Sequence, residues 1–312
     1  MAENWLLIAF IAPILWSIVN LIDVYFVGGV YSDEYDGAII AGLFPLFSWL
    51  LVALGIVPFR FPETGTLMFL LSGVLFLLAN FFYFKSLFCK NDTALTQIFF
   101  NLAVPGTLFL SWLLLGEKLT AVQYMGIAVV FVGASVLCFP GKEKVSRGGA
   151  VLLQMLPAVL CVSLSLVLSE SAYRASNTSF FDGYLLFTIG MAFGACLIAF
   201  WDKQTLKKRM THIGDLTSRY FLIFITAETL ALLAVMGSQR AVDLSPSASF
   251  VVTIESLNPA FVMLFSVLLV LFLKLFPNQT HLSEQIYRNQ VSGVGIKSIA
   301  TVLVVYGIYL VS

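Results

Sequence analysis

Three carboxylates stand inside apolar stretches of this chain: Asp23, Glu228 and Glu255. An ionisable group within a membrane-spanning helix costs at least ~2.5 kcal/mol by insertion scales, so such groups face a cavity or a partner. Glu255 is four residues before Pro259, one helical turn, which puts both on the face that also carries Val251. The same pattern occurs 154 residues earlier, where Asn101 is four before Pro105 and Gln97 lies one turn further back. Glu255 reads as a proton-coupling or cation-binding group, or else as a neutral acid hydrogen-bonded between helices. Asn101 and Gln97 contact a substrate or bond neighbouring helices, and both readings stay open. Each proline withdraws a backbone donor and breaks its helix one turn earlier, which predicts free carbonyls at residues 101 and 255.

Asp23 shares a helix face with Trp16, Asn20 and Pro13. It stands near the end of its helix, where a solvated, interfacial carboxylate is the default and a pathway role the alternative. Glu228, between Thr226 and Thr229, has no basic residue of the apolar stretches as a mate. It either pairs with a cation reaching in from a helix end or, without a partner, faces water and lines the pathway. Trp16, Trp49, Trp112 and Tyr83 are candidates for an aromatic cage around a cationic amine, beside their ordinary packing roles. Cys89, Cys138, Cys161 and Cys196 show no CxxC spacing and read as packing residues. Neither a metal nor another cofactor is expected.

The elements that must hold these side chains follow from composition. Hydrophobic residues make up 60% of the 312 and charged ones 11%, against about 45–50% and 25% in soluble domains. Eight stretches of at least 18 residues contain no Asp, Glu, Lys or Arg, and a helix needs roughly 20 mostly apolar residues to cross a bilayer. Two more stretches carry only Glu228 and only Lys297. The expected fold is therefore an all-α, polytopic membrane protein of ten helices. They cover residues 5–27, 37–57, 66–88, 94–115, 120–139, 148–169, 180–201, 218–237, 247–273 and 294–311. The first stretch has no basic region before it and reads as a retained helix.

Seventeen Lys and Arg balance seventeen Asp and Glu. With the loops assigned to alternating sides, thirteen basic residues fall on one side and four, Arg60, Lys118, Arg174 and Arg240, on the other. The positive-inside rule then places the thirteen in the cytoplasm together with the acidic loop Tyr31 to Asp36, and both termini outside. The basic residues are spread over short loops, so nucleic-acid binding is not expected.

Residues 113–139 read LLLGEKLTAVQYMGIAVVFVGASVLCF: a Gly-Glu turn, a short polar step, then a helix with Gly126 and Gly133 seven apart. This resembles the end of an EamA repeat of the drug/metabolite transporter superfamily, and the preceding helix with Asn101 and Pro105 fits the same repeat. The resemblance implies two five-helix halves in inverted topology around a central cavity, working by alternating access. The halves would span residues 1–142 and 143–312, divided by the linker PGKEKVSRGG at 140–149. The second half is degenerate. Leu271 stands where the first half has Glu117, and pairing Gly133 with Gly307 exposes a 20-residue insertion at 274–293. That insertion reads as a longer polar loop or short interfacial helix, or as a gate or partner contact. Members of the superfamily are usually described with cytoplasmic termini; the charge count favours the opposite here.

The function expected is secondary transport, as an exporter or exchanger, of a small organic metabolite or drug-like compound, with a proton or cation as coupling ion. The partners are that substrate and the lipid bilayer, and the location is an inner or plasma membrane. No Arg or Lys cluster lies deep in the apolar stretches, so phosphorylated cargo ranks below amines, amino acids and neutral compounds. An enzyme is not expected, because His212 and His281 both fall in loops and no HExxH, GxSxG or P-loop occurs. The alternative is a non-transporting scaffold or lipid scramblase of the same fold.

Overall fold

A computed structural model describes residues 4–88, 93–138, 148–176, 179–202, 206–273 and 294–311. The centre of the expected linker, residues 139–147, and the insertion at 274–293 lie outside the described residues. Every regular element among the described residues is a helix. Eight segments are long and apolar enough to cross a membrane: Trp5–Val27, Glu34–Ala53, Thr66–Phe88, Thr96–Leu115, Val151–Ala175, Phe180–Trp201, Phe221–Leu244 and Ala248–Phe272. Two further apolar helices, Ala121–Leu137 and Ile299–Val311, are shorter. These dimensions are those of a multi-pass membrane protein.

In chain order the elements are α1 (Asn4–Gly29), α2 (Glu34–Leu43), α3 (Leu50–Ala53), α4 (Thr66–Phe88), α5 (Thr93–Phe100), α6 (Ala103–Leu110), α7 (Ala121–Cys138) and α8 (Gly148–Ala175). Then come α9 (Phe180–Trp201), α10 (Leu206–Arg219), α11 (Phe221–Leu244), α12 (Ala248–Glu255), α13 (Asn258–Leu273) and α14 (Val294–Val311). Pro45 divides the second span, where a 3-10 stretch, Phe44–Trp49, links α2 to α3. Helix α10 falls in a segment expected to be a basic loop. Ile213, Leu216 and Tyr220 recur at helical spacing and pack on the core, which is enough to fold a short polar helix along the bundle.

Helices from early and late in the sequence interleave: α4 packs on α8 and α9, α1 on α11 and α13, and α7 on α14. The last pair is in backbone contact. A Cβ on Gly126 would meet the Gly307 carbonyl oxygen at 2.7 Å, and one on Gly307 would meet the Gly126 oxygen at 2.8 Å. Gly133 faces Ala300 and Val304, so the two helices run antiparallel. Loop contacts define the ends of the bundle. At one end the Arg60 backbone N–H donates to Asp182 Oδ1 at 2.8 Å and the Thr64 hydroxyl to the Ala175 carbonyl at 3.0 Å. At the other, Ser32 to Asp36 meet α10.

Candidate functional site

Two helix breaks build the site. Helix α5 stops at Phe100 and α6 restarts at Ala103, while α12 stops at Glu255 and α13 restarts at Asn258. Each restart carries its proline in the first turn, where a missing N–H costs least. The gaps close as tight turns, with the Leu102 N–H donating to the Phe99 carbonyl at 3.1 Å and the Leu257 N–H to that of Ile254 at 3.0 Å. The carbonyl of Asn101 is therefore not free, as the sequence suggested. It accepts from the Val104 N–H at 3.0 Å, because the broken chain winds into a shorter-range turn instead of leaving the group unpaired. From α8, the Ser163 hydroxyl donates to the Ala103 carbonyl at 3.3 Å and pins the restart.

Between the two breaks, α1, α4 and α8 enclose a cavity of about 100 Å³. Trp16, Asn20, Asp23, Gln97, Asn101 and Glu255 all line it. With Tyr83, which also lines it, seven residues singled out from the sequence thus share one wall system. Glu228 lines a neighbouring cavity of about 40 Å³, and Trp16, Asp23, Phe76 and Asn80 border both. Asp23 and Glu228 interact electrostatically. Asp23 thus lines both cavities, on α1 where that helix packs against α11 and the broken helices. Pro105 is exposed and Pro259 buried; both act on the backbone and neither lines the cavity.

The amide of Gln97 donates to the Tyr83 hydroxyl at 3.2 Å, and that hydroxyl to Asn20 Oδ1 at 3.4 Å. Asn80 donates to the Phe76 carbonyl one turn back at 3.1 Å. The Ser238 hydroxyl reaches the Glu255 carboxyl. Glu255 Oε1 is buried with no hydrogen-bond partner among the described residues, as is Asn258 Oδ1. No ion pair among the described residues reaches Asp23, Glu228 or Glu255. Of the four aromatic cage candidates, Trp16 and Tyr83 line the cavity. Trp49 instead donates to the Thr188 hydroxyl at 3.2 Å, and Trp112 is exposed.

Asn80 and Asn258 escaped the sequence reading, although an Asn in an apolar helix obeys the same rule that singled out Asn101. Two charged clusters also went unread. At one end Arg209 is 1% exposed, with Asp202 at 2.5 Å, Asp36 at 2.6 Å and Asp33 at 2.8 Å. Burial alone would lower the proton affinity of its guanidinium. The hydrogen bonds to Asp202, Asp33 and Asp36 outweigh that and push it well above the ordinary arginine range. His212 adds a contact to Asp36 at 3.3 Å. At the opposite end Arg174 pairs with Glu170 at 2.5 Å and Glu117 at 2.6 Å, and donates to the Pro246 carbonyl. The Ser247 hydroxyl, at the start of α12, donates to Glu117 at 2.7 Å.

No family model matches the sequence. No curated protein matches it either. A solved structure described as "Crystal structure of protein" shares the fold, with a TM-score of 0.64 over 100% of this chain and 98% of its own, at 17% sequence identity.

Proposed function

We propose that this chain is a secondary transporter of the drug/metabolite type, built as two five-helix inverted repeats with ten membrane spans. It moves a small organic molecule by alternating access in an inner or plasma membrane. The observation that carries the reading is the enclosed cavity at two equivalent helix breaks, lined by carboxylates that no basic side chain among the described residues neutralises. Broken helices meeting near mid-membrane at a repeat interface are where transporters bind cargo and coupling ions. The antiparallel pairing of α7 and α14, the last helix of each repeat, supports inverted topology. Rocking also needs contacts that can open at each end. Arg209 to Asp33 and Asp36, and Arg174 to Glu117, join the two repeats at opposite ends of the bundle.

The coupling group in this reading is Glu255. Purified protein in liposomes should exchange a small organic compound and respond to an imposed pH gradient. Glu255→Gln should cut gradient-driven flux by about tenfold or more and flatten its pH dependence, as expected for removal of an intramembrane ionisable group that carries function. Unchanged flux at every pH would remove Glu255 from the mechanism.

A further inference from the structure

We infer that the cargo of the central cavity is a small organic cation with at least one N–H, its charge held between Glu255 and Asp23. This rests on the transport reading above. Among the described residues the cavity lining includes two carboxylates and no Lys, Arg or His. Taking such charges out of water is costly unless an opposite charge or a proton accompanies them. Three arginines of the bundle are committed elsewhere: Arg209 to three aspartates, Arg174 to two glutamates and Arg240 to Asp243.

The hydrogen-bonding inventory points the same way. One donor each of Gln97, Tyr83 and Asn80 is taken by a protein acceptor, whereas among the described residues Glu255 Oε1 and Asn258 Oδ1 are buried acceptors with no donor. An ammonium N–H completes them; an anionic oxygen would be repelled. Trp16, Phe76, Tyr83 and Phe100 add aromatic rings to the same walls, and ring faces attract organic cations most strongly where water is excluded. Size narrows the class further. A cavity of about 150 Å³ accommodates benzene, so one of about 100 Å³ suits a cation of roughly four to five heavy atoms.

The test compares three ligands that share a tert-butyl group and differ in charge: tert-butylammonium, tert-butanol and pivalate. Binding to the full-length purified protein is followed by calorimetry. Tert-butylammonium should bind about tenfold or more tighter than either of the others, the scale of one hydrogen bond to a charged group. Glu255→Gln or Asp23→Asn should erase that preference, while Asn101→Asp, which adds a carboxylate at the facing break, should enlarge it. Asn101→Asp keeps the test decisive if the neutralised variants fail to fold. Equal or tighter binding of tert-butanol or pivalate, no binding of the ammonium, or a preference indifferent to all three substitutions overturns the assignment. Liposome counterflow over a panel of cations, anions and neutral compounds separates the two claims. If the ammonium binds with its carboxylate dependence but no compound crosses, the transport reading falls and the cavity's charge selectivity stands. If anions or neutral compounds cross while the ammonium neither binds nor crosses, the reverse holds.

Discussion

Glu255 and Asn101 occupy the same place in two broken helices, yet one carries a charge and the other an amide. Their types and their spacing from Pro259 and Pro105 were readable because an ionisable or amide group in an apolar run has few stable reasons to be there. Arg209 was not readable in that way. Its partners Asp33 and Asp36 lie 176 and 173 positions away, and a basic residue in a polar segment is ordinarily solvated. Removing one partner of a buried ion cluster leaves uncompensated charge and costs about 3–5 kcal/mol. Arg209→Met should therefore lower the thermal midpoint in detergent sharply. Arg209→Lys should recover only part, since a point charge cannot serve three carboxylates as the planar fork does. The guanidinium's proton affinity is raised on folding, so its contribution is fully present below the ordinary arginine range and is lost only as the pH rises through the raised value. The wild-type to Arg209→Met difference should not shrink on raising the pH from about 7 to 9, both far below that limit. A midpoint indifferent to Arg209→Met would show the cluster to be incidental.

At the scale of elements, apolar runs sufficed to place the long apolar helices but not α10, and Pro105 and Pro259 marked two breaks while the one at Pro45 went unread. What they did not supply was the consequence of each break. A proline leaves a carbonyl without its usual donor, but whether a nearby N–H then takes it depends on how tightly the turn winds, as Asn101 and Val104 show. Gly116 closes the π-turn Ser111–Leu115 with φ of 68°, a conformation in which a side chain would crowd its own backbone, so the Gly-Glu turn needs its glycine. Close approach makes a second demand. A methyl on Gly307 would lie 2.8 Å from the Gly126 carbonyl oxygen and 2.7 Å from Val130 Cγ2, and backbone cannot step aside cheaply. Gly307→Ala should cost about 1–3 kcal/mol by overpacking. Gly295→Ala in the same helix, with nothing within 4 Å of the new Cβ, should be neutral or slightly stabilising. Thermal midpoints of the two variants check this, and equal values would mean that α7 and α14 separate readily.

For the whole molecule, the two charged clusters sit at opposite ends of the bundle and the cavity lies between them. In the proposed mechanism they open in turn. Ala79, which lines the cavity and is 2% exposed, reports on this as Ala79→Cys in a background without the four native cysteines. Arg174→Met should raise its reactivity toward an impermeant thiol reagent applied at one face, and Arg209→Met at the other. The positive-inside rule makes the Arg209 end cytoplasmic, so reagent outside cells should label only the Arg174→Met form. The opposite pattern would invert the topology, and equal labelling of both forms would remove the latches from the mechanism. The sequence by itself determined the membrane class, the helical segments, the two breaks and the residues worth watching, because burial in lipid constrains composition and backbone bonding locally. Only the tertiary structure decided that seven of those residues share one cavity, that Glu228 lines a second, and that Arg209 and Arg174 each hold an ion cluster at one end. Those facts depend on which helix faces meet, and pairing between residues far apart in the sequence leaves no local signature.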